Sequence, residues 1–114
     1  MESAIVFFTE LSKADYDALP QALRDECAYM LKKLRRVGKR LGIPLENKNG
    51  KDLSGNYKLY FNEARHRIVY TEIAGNIEIT ELGETLKETL EIVGIGKRER
   101  QYIYDLIQQR IEDK

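Results

Sequence analysis

Between Asn56 and Ile73 the chain alternates twice. In "NYKLYF", Tyr57, Leu59 and Phe61 fall on one side and Lys58 and Tyr60 on the other. In "RHRIVYTEI", Ile68 and Tyr70 fall opposite Arg67 and Val69. Side chains along a strand change face at every residue, so each run reads as a strand with one side to bury. The flanking "NEAR" and "AGN" are turn-like and make hairpins of the runs. A cover for the buried side lies upstream. Leu23, Cys27, Met30, Leu31, Leu34, Val37 and Leu41 recur at three- and four-residue spacings, the single apolar stripe of a helix running from Pro20 to about Leu41. A sheet roofed by that helix leaves its other face, with Lys58, Tyr60 and Arg67, in water.

The remaining elements fit around this pair. "SAIVFF" (Ser3–Phe8) is apolar, β-branched and aromatic, and reads as a strand. Ser12 and Asp15, three residues apart, form a weak capping box for a short helix reaching about Leu19. Pro20 sits at a first helical position, where its missing N–H is no loss, and Gly42 and Pro44 stop the long helix. Residues 43–56 read as a loop. "IEIT" (Ile77–Thr80) and "LEIVGI" (Leu90–Ile95) are strand-like, and "ELGETLKE" between them is either a long hairpin tip or an extra helical turn. Ile103, Leu106, Ile107 and Ile111 share a stripe, giving a final helix over about 97–111. The expected class is α+β: a small antiparallel sheet, an N-terminal αα-hairpin on one face, and a C-terminal helix.

A length of 114 residues fits one domain, 1–114. No apolar run approaches the roughly 20 residues of a membrane helix, and "MESAIVFFTE" lacks the basic region and apolar length of a signal peptide. The single cysteine, Cys27, excludes an internal disulfide and fits a reducing cytoplasm. One Cys and one His leave no metal-ligand spacing, so no metal or other cofactor is expected. The formal net charge is zero, yet the charges are segregated. Residues 24–67 hold 12 Lys/Arg against 5 Asp/Glu, whereas residues 68–96 hold 1 against 6. A neutral chain has little long-range pull on a polyanion, so any anion site must be local.

Two places gather cations. Lys58, Tyr60 and Arg67 share a sheet face, and opposed side chains there approach to about 5 Å. Taken alone they fit an ordinary solvated face better than a site, since antiparallel sheets commonly wet one side. In "GKRERQYIYDLIQQR", Lys97, Arg98 and Arg100 crowd the expected start of the last helix, an end whose dipole repels cations. Two readings follow: the exposed N–H groups and guanidinium groups bind an external phosphate together, or an acidic neighbour from 78–91 pairs with an arginine. Tyr102 and Tyr104 are both placed to stack on a base, and spacing does not choose between them. His66 adjoins Arg67 and so faces the other way, as a packed or turn-edge histidine. The basic stretch "KKLRRVGKR" (Lys32–Arg40) lies on the polar side of the long helix, as a contact for ribosomal RNA or as a solvated face.

"LSGNYKLYF", "RHRIVY" and "VGIGKRERQYIYDLIQQRI", in that order after an αα-hairpin, resemble the RelE/ParE superfamily of toxins from type II toxin–antitoxin systems. The RelE-like mRNA interferase branch is the most similar. The resemblance implies a ribosome-dependent endoribonuclease that cuts mRNA in the ribosomal A site and is held by a cognate antitoxin. It implies functional roles for Lys58, Arg67, Arg98 and Tyr104, and favours Tyr104 over Tyr102. Lys97 and Arg100 would help to bind the substrate. Where RelE has a second lysine, this chain has Tyr60, and "ELGETLKE" is longer than in compact members.

The chemistry so implied is transesterification, with the 2′-hydroxyl attacking its neighbouring phosphate. Arg67 and Arg98 would hold the transition-state charge, Lys58 or Tyr60 would take the proton, and Tyr104 would stack on a base. Two rival readings use the same fold: a ParE-like gyrase inhibitor, and a non-catalytic homologue that only binds an antitoxin.

Overall fold

The structure, a computed structural model, describes residues 4–45, 55–80, 83–97 and 107–111. Its elements are β1 (Ala4–Phe8), α1 (Glu10–Asp17), α2 (Gln21–Val37), a 3-10 turn (Lys39–Leu41), β2 (Ile43–Pro44), β3 (Asn56–Phe61), β4 (His66–Thr80) and β5 (Gly83–Lys97). Residues 107–111 are helical. The architecture is α+β, a five-stranded sheet in the order β1-β5-β4-β3-β2. Strands β2 to β5 run antiparallel to one another, while β1 joins β5 in parallel. That parallel pairing is possible because two helices and three strands separate them in sequence. Among the described residues no helix is long and apolar enough to cross a membrane.

The αα-hairpin begins one residue group earlier than the sequence implies. Thr9, not Ser12, is the N-cap of α1: its Oγ1 accepts from Ser12 N at 3.1 Å, and Ser12 Oγ accepts from Thr9 N at 2.9 Å. Ser12 is thus the return half of the box. Pro20 is the residue just before α2 rather than its first member. The helix ends at Val37, four residues short of Leu41, because Gly38 takes φ +92° and turns the chain out. Only glycine adopts that conformation without strain.

The stripe on α2 meets the sheet as the spacing requires. Cys27, Leu31 and Leu34 pack with Leu59, Phe61, Ile68, Tyr70, Leu90, Ile92 and Ile95 in one buried cluster. Burial, then Glu26, pushes the Cys27 thiol up to about 12, so it stays protonated and inert. Tyr70 closes this face. Its ring stacks on Tyr57 at 5.3 Å, its hydroxyl donates to Lys39 O at 2.6 Å and accepts from Gly42 N at 2.8 Å. Burial pushes this phenol up to about 12, against the bond from Gly42. The 3-10 turn is held from the sheet as well, by Glu88 Oε1 on Lys39 N and Glu72 on Lys39 Nζ, both at 3.1 Å.

Of the ambiguous "ELGETLKE", Gly83–Glu88 are extended and belong to β5, paired with β4. β4 and β5 pair continuously to Thr80 and Gly83, with register shifts at Val69/Tyr70 and Glu72/Ala74. β3 reaches only to Thr71 on β4, and β1 only back to Glu88 on β5. Beyond those points, among the described residues, the two strands pair only with each other, as a two-stranded ribbon continuing from the sheet.

Candidate functional site

The register of β3 and β4 sets Tyr60 opposite Arg67 and Lys58 opposite Val69. All lie on the sheet face away from α2. There Tyr60 stands between two cations. The Arg67 guanidinium carbon lies 4.9 Å from the ring centroid and Lys58 Nζ 5.4 Å. Both distances are within cation–π range, so the ring fixes the positions of both charges. Across the next ladder Arg67 is opposite Gly96, which adds no side chain beside the guanidinium.

This face is not open. Arg67 is only 2 % exposed, and Val69 and Val93 beside it are buried with Leu45 and Ile107 in a second cluster, joined by Ile111. The expectation of a wetted face fails because β4 is a central strand whose outward residue Val69 is as apolar as its inward neighbours. Near-continuous apolar strands are covered on both sides. Gly94 permits the cover: a Cβ there would stand 2.4 Å from Ile107 Cδ1.

Lys97 also departs from expectation. It is the last residue of β5, paired with His66, not the first of a helix. Ladder partners share a face, so Lys97 lies on the side away from Lys58, Tyr60 and Arg67. β4 still supplies a partner at His66, which keeps the strand extended. Arg98, Arg100, Tyr102 and Tyr104 lie outside the described residues, as do Ile103 and Leu106.

His66 is packed, as alternation implies. Its ring tilts against Phe61 at 5.2 Å, and its Nδ1 is 3.0 Å from Asn62 Nδ2. An amide nitrogen donates, so Nδ1 accepts and the ring proton rides on Nε2. Burial, and then Lys97, holds its pKa below the usual 6.5, partly offset by Glu26. The adjoining turn places Asn62, Glu63 and Ala64 at positive φ. Glu26 of α2 steadies it by accepting from Asn62 N at 2.9 Å.

The sequence reading missed the anchor of the C-terminal turn. Arg110 Nη1 and Nη2 donate to the two carboxylate oxygens of Asp15 at 2.7 and 3.0 Å, and Nη1 also donates to Val93 O at 3.0 Å. Asp15 Oδ2 accepts from Ile95 N at 3.1 Å as well. Asp15 is therefore no capping residue but the acceptor for Arg110 and Ile95 N, partners 95 and 80 positions away that no local spacing signals. Among the described residues no group of three or more His, Cys, Asp or Glu could hold a metal ion.

No family model matches the sequence, and no curated protein matches it. Solved structures do. The chain is similar to a component of the toxin–antitoxin complex RelBE2 from Mycobacterium tuberculosis, at 20 % identity and a TM-score of 0.58, covering 86 % of this chain and 100 % of that one. It is similar to the isolated RelE toxin of E. coli at 18 % identity and 0.58, covering 95 % and 98 %. It is similar to a double arginine-to-alanine variant of E. coli RelE in the free state at 17 % identity and 0.62, covering 97 % and 99 %. At these identities the shared property is the fold, which is RelE-like.

Proposed function

We propose that this chain is the toxin of a type II toxin–antitoxin pair and cleaves mRNA in the ribosomal A site. The observation that carries the reading is the Lys58–Tyr60–Arg67 stack, two cations held against one phenol on one face of a RelE-like sheet. In the proposed reaction the 2′-oxygen attacks the adjacent phosphorus and the bond to the 5′-oxygen breaks. The products are a 2′,3′-cyclic phosphate and a 5′-hydroxyl. The 2′ proton passes to Lys58 in its neutral amine form or to Tyr60 in its phenolate form, and the leaving 5′-oxygen takes up a proton from water. Arg67 and Arg98 offset the negative charge gathered at phosphorus, and Tyr104 stacks on a base. Arg100 adds a phosphate contact.

Lysine and tyrosine ordinarily titrate near 10, far from the value that suits proton transfer at neutral pH. Rate must then come from holding the 2′-oxygen in line with its phosphate. The ribosome supplies such a geometry and free RNA does not. A cognate antitoxin is the proposed partner, and the cytoplasm the proposed location.

Burial of Arg67 favours a second reading, a homologue that binds an antitoxin and cuts nothing. Induction in a bacterium with mapping of transcript 5′ ends separates the two. The first reading expects new ends within codons, lost in Lys58→Ala and Arg98→Ala. Absence of new ends with unmodified chain sinks it, and inhibition of gyrase supercoiling would point to a ParE-like activity instead.

A further inference from the structure

The two edges of the sheet are guarded differently. At one end β2 is two residues long, and one of them is Pro44, which has no N–H to offer an incoming strand. At the other end β1 is five residues long, and Ala4–Phe8 holds no charge, no proline and no glycine. Among the described residues no strand pairs with its outer side. Thr9 N donates to Ile92 O at 3.4 Å, continuing the ladder between β1 and β5. Main-chain groups alternate in direction along a strand, so Ile5 and Phe7 also turn theirs to β5, and Ala4, Val6 and Phe8 turn theirs outward. The side chains divide in the same way. Ala4, Val6 and Phe8 pack with the cluster under α2, whereas Ile5 and Phe7, on the other face, are 44 % and 39 % exposed.

We infer that β1 pairs antiparallel with β1 of a second copy of this chain, joining two sheets into one across a two-fold axis at Val6. The strand is complementary to itself in that register. Val6 meets Val6 of the second copy, and the outward groups of Ala4, Val6 and Phe8 form the hydrogen-bonded pairs. Ile5 then falls opposite Phe7 of the second copy, and Phe7 opposite its Ile5. These are the non-hydrogen-bonded positions, where side chains approach closest, and an aromatic residue against a β-branched one is a favourable pair. Each exposed apolar side chain thereby gains an apolar partner. A strand without charge meets its own copy with no like-charge repulsion, and it offers a charged partner nothing to recognise. The contact uses the β1 edge of both copies and so closes at two, while the short, proline-bearing β2 edge gives no route to further copies. β5 and β4 stand between β1 and β3, so pairing at β1 does not reach Lys58 and Tyr60.

The test is sedimentation equilibrium of the whole chain over a wide range of protein concentration, in low and in high KCl. The average mass should rise from one chain towards two. It should hold or rise further in high salt, because screening acts on charges and not on main-chain bonds or apolar contacts. Ile5→Lys with Phe7→Lys sets like charges opposite each other and should raise the dissociation constant about tenfold or more. Ile5→Lys with Phe7→Glu sets opposite charges at the same positions and should recover part of that loss. Both variants change exposed side chains, and far-UV circular dichroism checks that they keep the fold. Val6→Pro deletes an outward N–H that β5 does not use and should leave single chains. A single-chain mass for the parent at every concentration would leave the edge to a strand of another protein and overturns the inference. Equal dissociation constants for the two double variants overturn it too. So does an association that salt dissolves, which would assign the contact to the basic α2 and the acidic strands instead.

Discussion

Arg110 and Asp15 meet across an edge of the sheet that β1 leaves uncovered. β1 accompanies β5 only as far as Ile92. Just beyond, Ile95 N donates to Asp15 Oδ2 and Val93 O accepts from Arg110 Nη1, while the two side chains form a two-pronged ion pair. α1 and the C-terminal turn therefore close the strand edge from two sides. Their side chains are only 17 % and 12 % exposed, where such a pair is little screened.

Removing one partner leaves the other charge buried. Asp15→Ala should lower the unfolding free energy by about 2–3 kcal/mol, measured by urea denaturation. Amide exchange at Ile95 should quicken in the same variant. Asp15→Ala with Arg110→Ala should be less destabilising than the two single losses added together; strict additivity would show that the pair is not coupled.

Gly94→Ala puts a methyl group 2.4 Å from Ile107 Cδ1 and 3.0 Å from Arg110 Nη1. Overpacking of this kind costs about 1–3 kcal/mol. Shortening the neighbour with Ile107→Ala should absorb part of that loss, so the double variant is predicted to be more stable than additivity allows. Equal stability of Gly94→Ala and the parent chain would show that the turn does not sit on Gly94.

Tyr70→Phe deletes a hydroxyl that donates to Lys39 O and accepts from Gly42 N. Leaving those backbone groups unmet should cost about 1–3 kcal/mol. The loss should appear as faster amide exchange at Gly42, with the Tyr57 stack kept.

His66 gives stability an acid limb. Its pKa is held below 6.5 in the folded chain, so the unfolded chain binds more protons wherever the two differ. The full contribution is present above about 6.5 and declines as pH falls from there through the folded value. Denaturation midpoints at several pH values should show this decline, and His66→Gln should flatten it. A profile as steep in the variant would assign the limb to carboxylates.

For activity, Tyr60→Phe and Arg67→Lys separate the roles on the cation stack. If Tyr60 takes the 2′ proton, Tyr60→Phe should abolish the mapped cleavage while the fold and the ring contacts persist. Arg67→Lys keeps the charge but loses the planar stack on Tyr60, and should reduce cleavage by about tenfold or more. Wild-type cleavage by Tyr60→Phe would leave Lys58 as the proton acceptor.

The elements and their faces were legible because they follow from local periodicity. Alternation in "NYKLYF" and "RHRIVY" placed Lys58, Tyr60 and Arg67 together and turned His66 away, and the α2 stripe named its own cover. Boundaries were less legible. Nothing in the local pattern distinguishes Gly38 from Gly42 as the stop of α2; the contacts of the following turn with Tyr70, Glu72 and Glu88 do. Lys97 was misplaced because an extended conformation there depends on a ladder partner thirty-one positions back in sequence.

What the amino-acid order determined alone was therefore the type of each main element and the side of the sheet each strand residue takes, since both depend on neighbours within a few positions. What only the folded chain decided was which faces meet water. Arg67 is enclosed and Asp15 is committed to Arg110 because residues from opposite ends of the chain converge there, and burial depends on that convergence rather than on any local pattern.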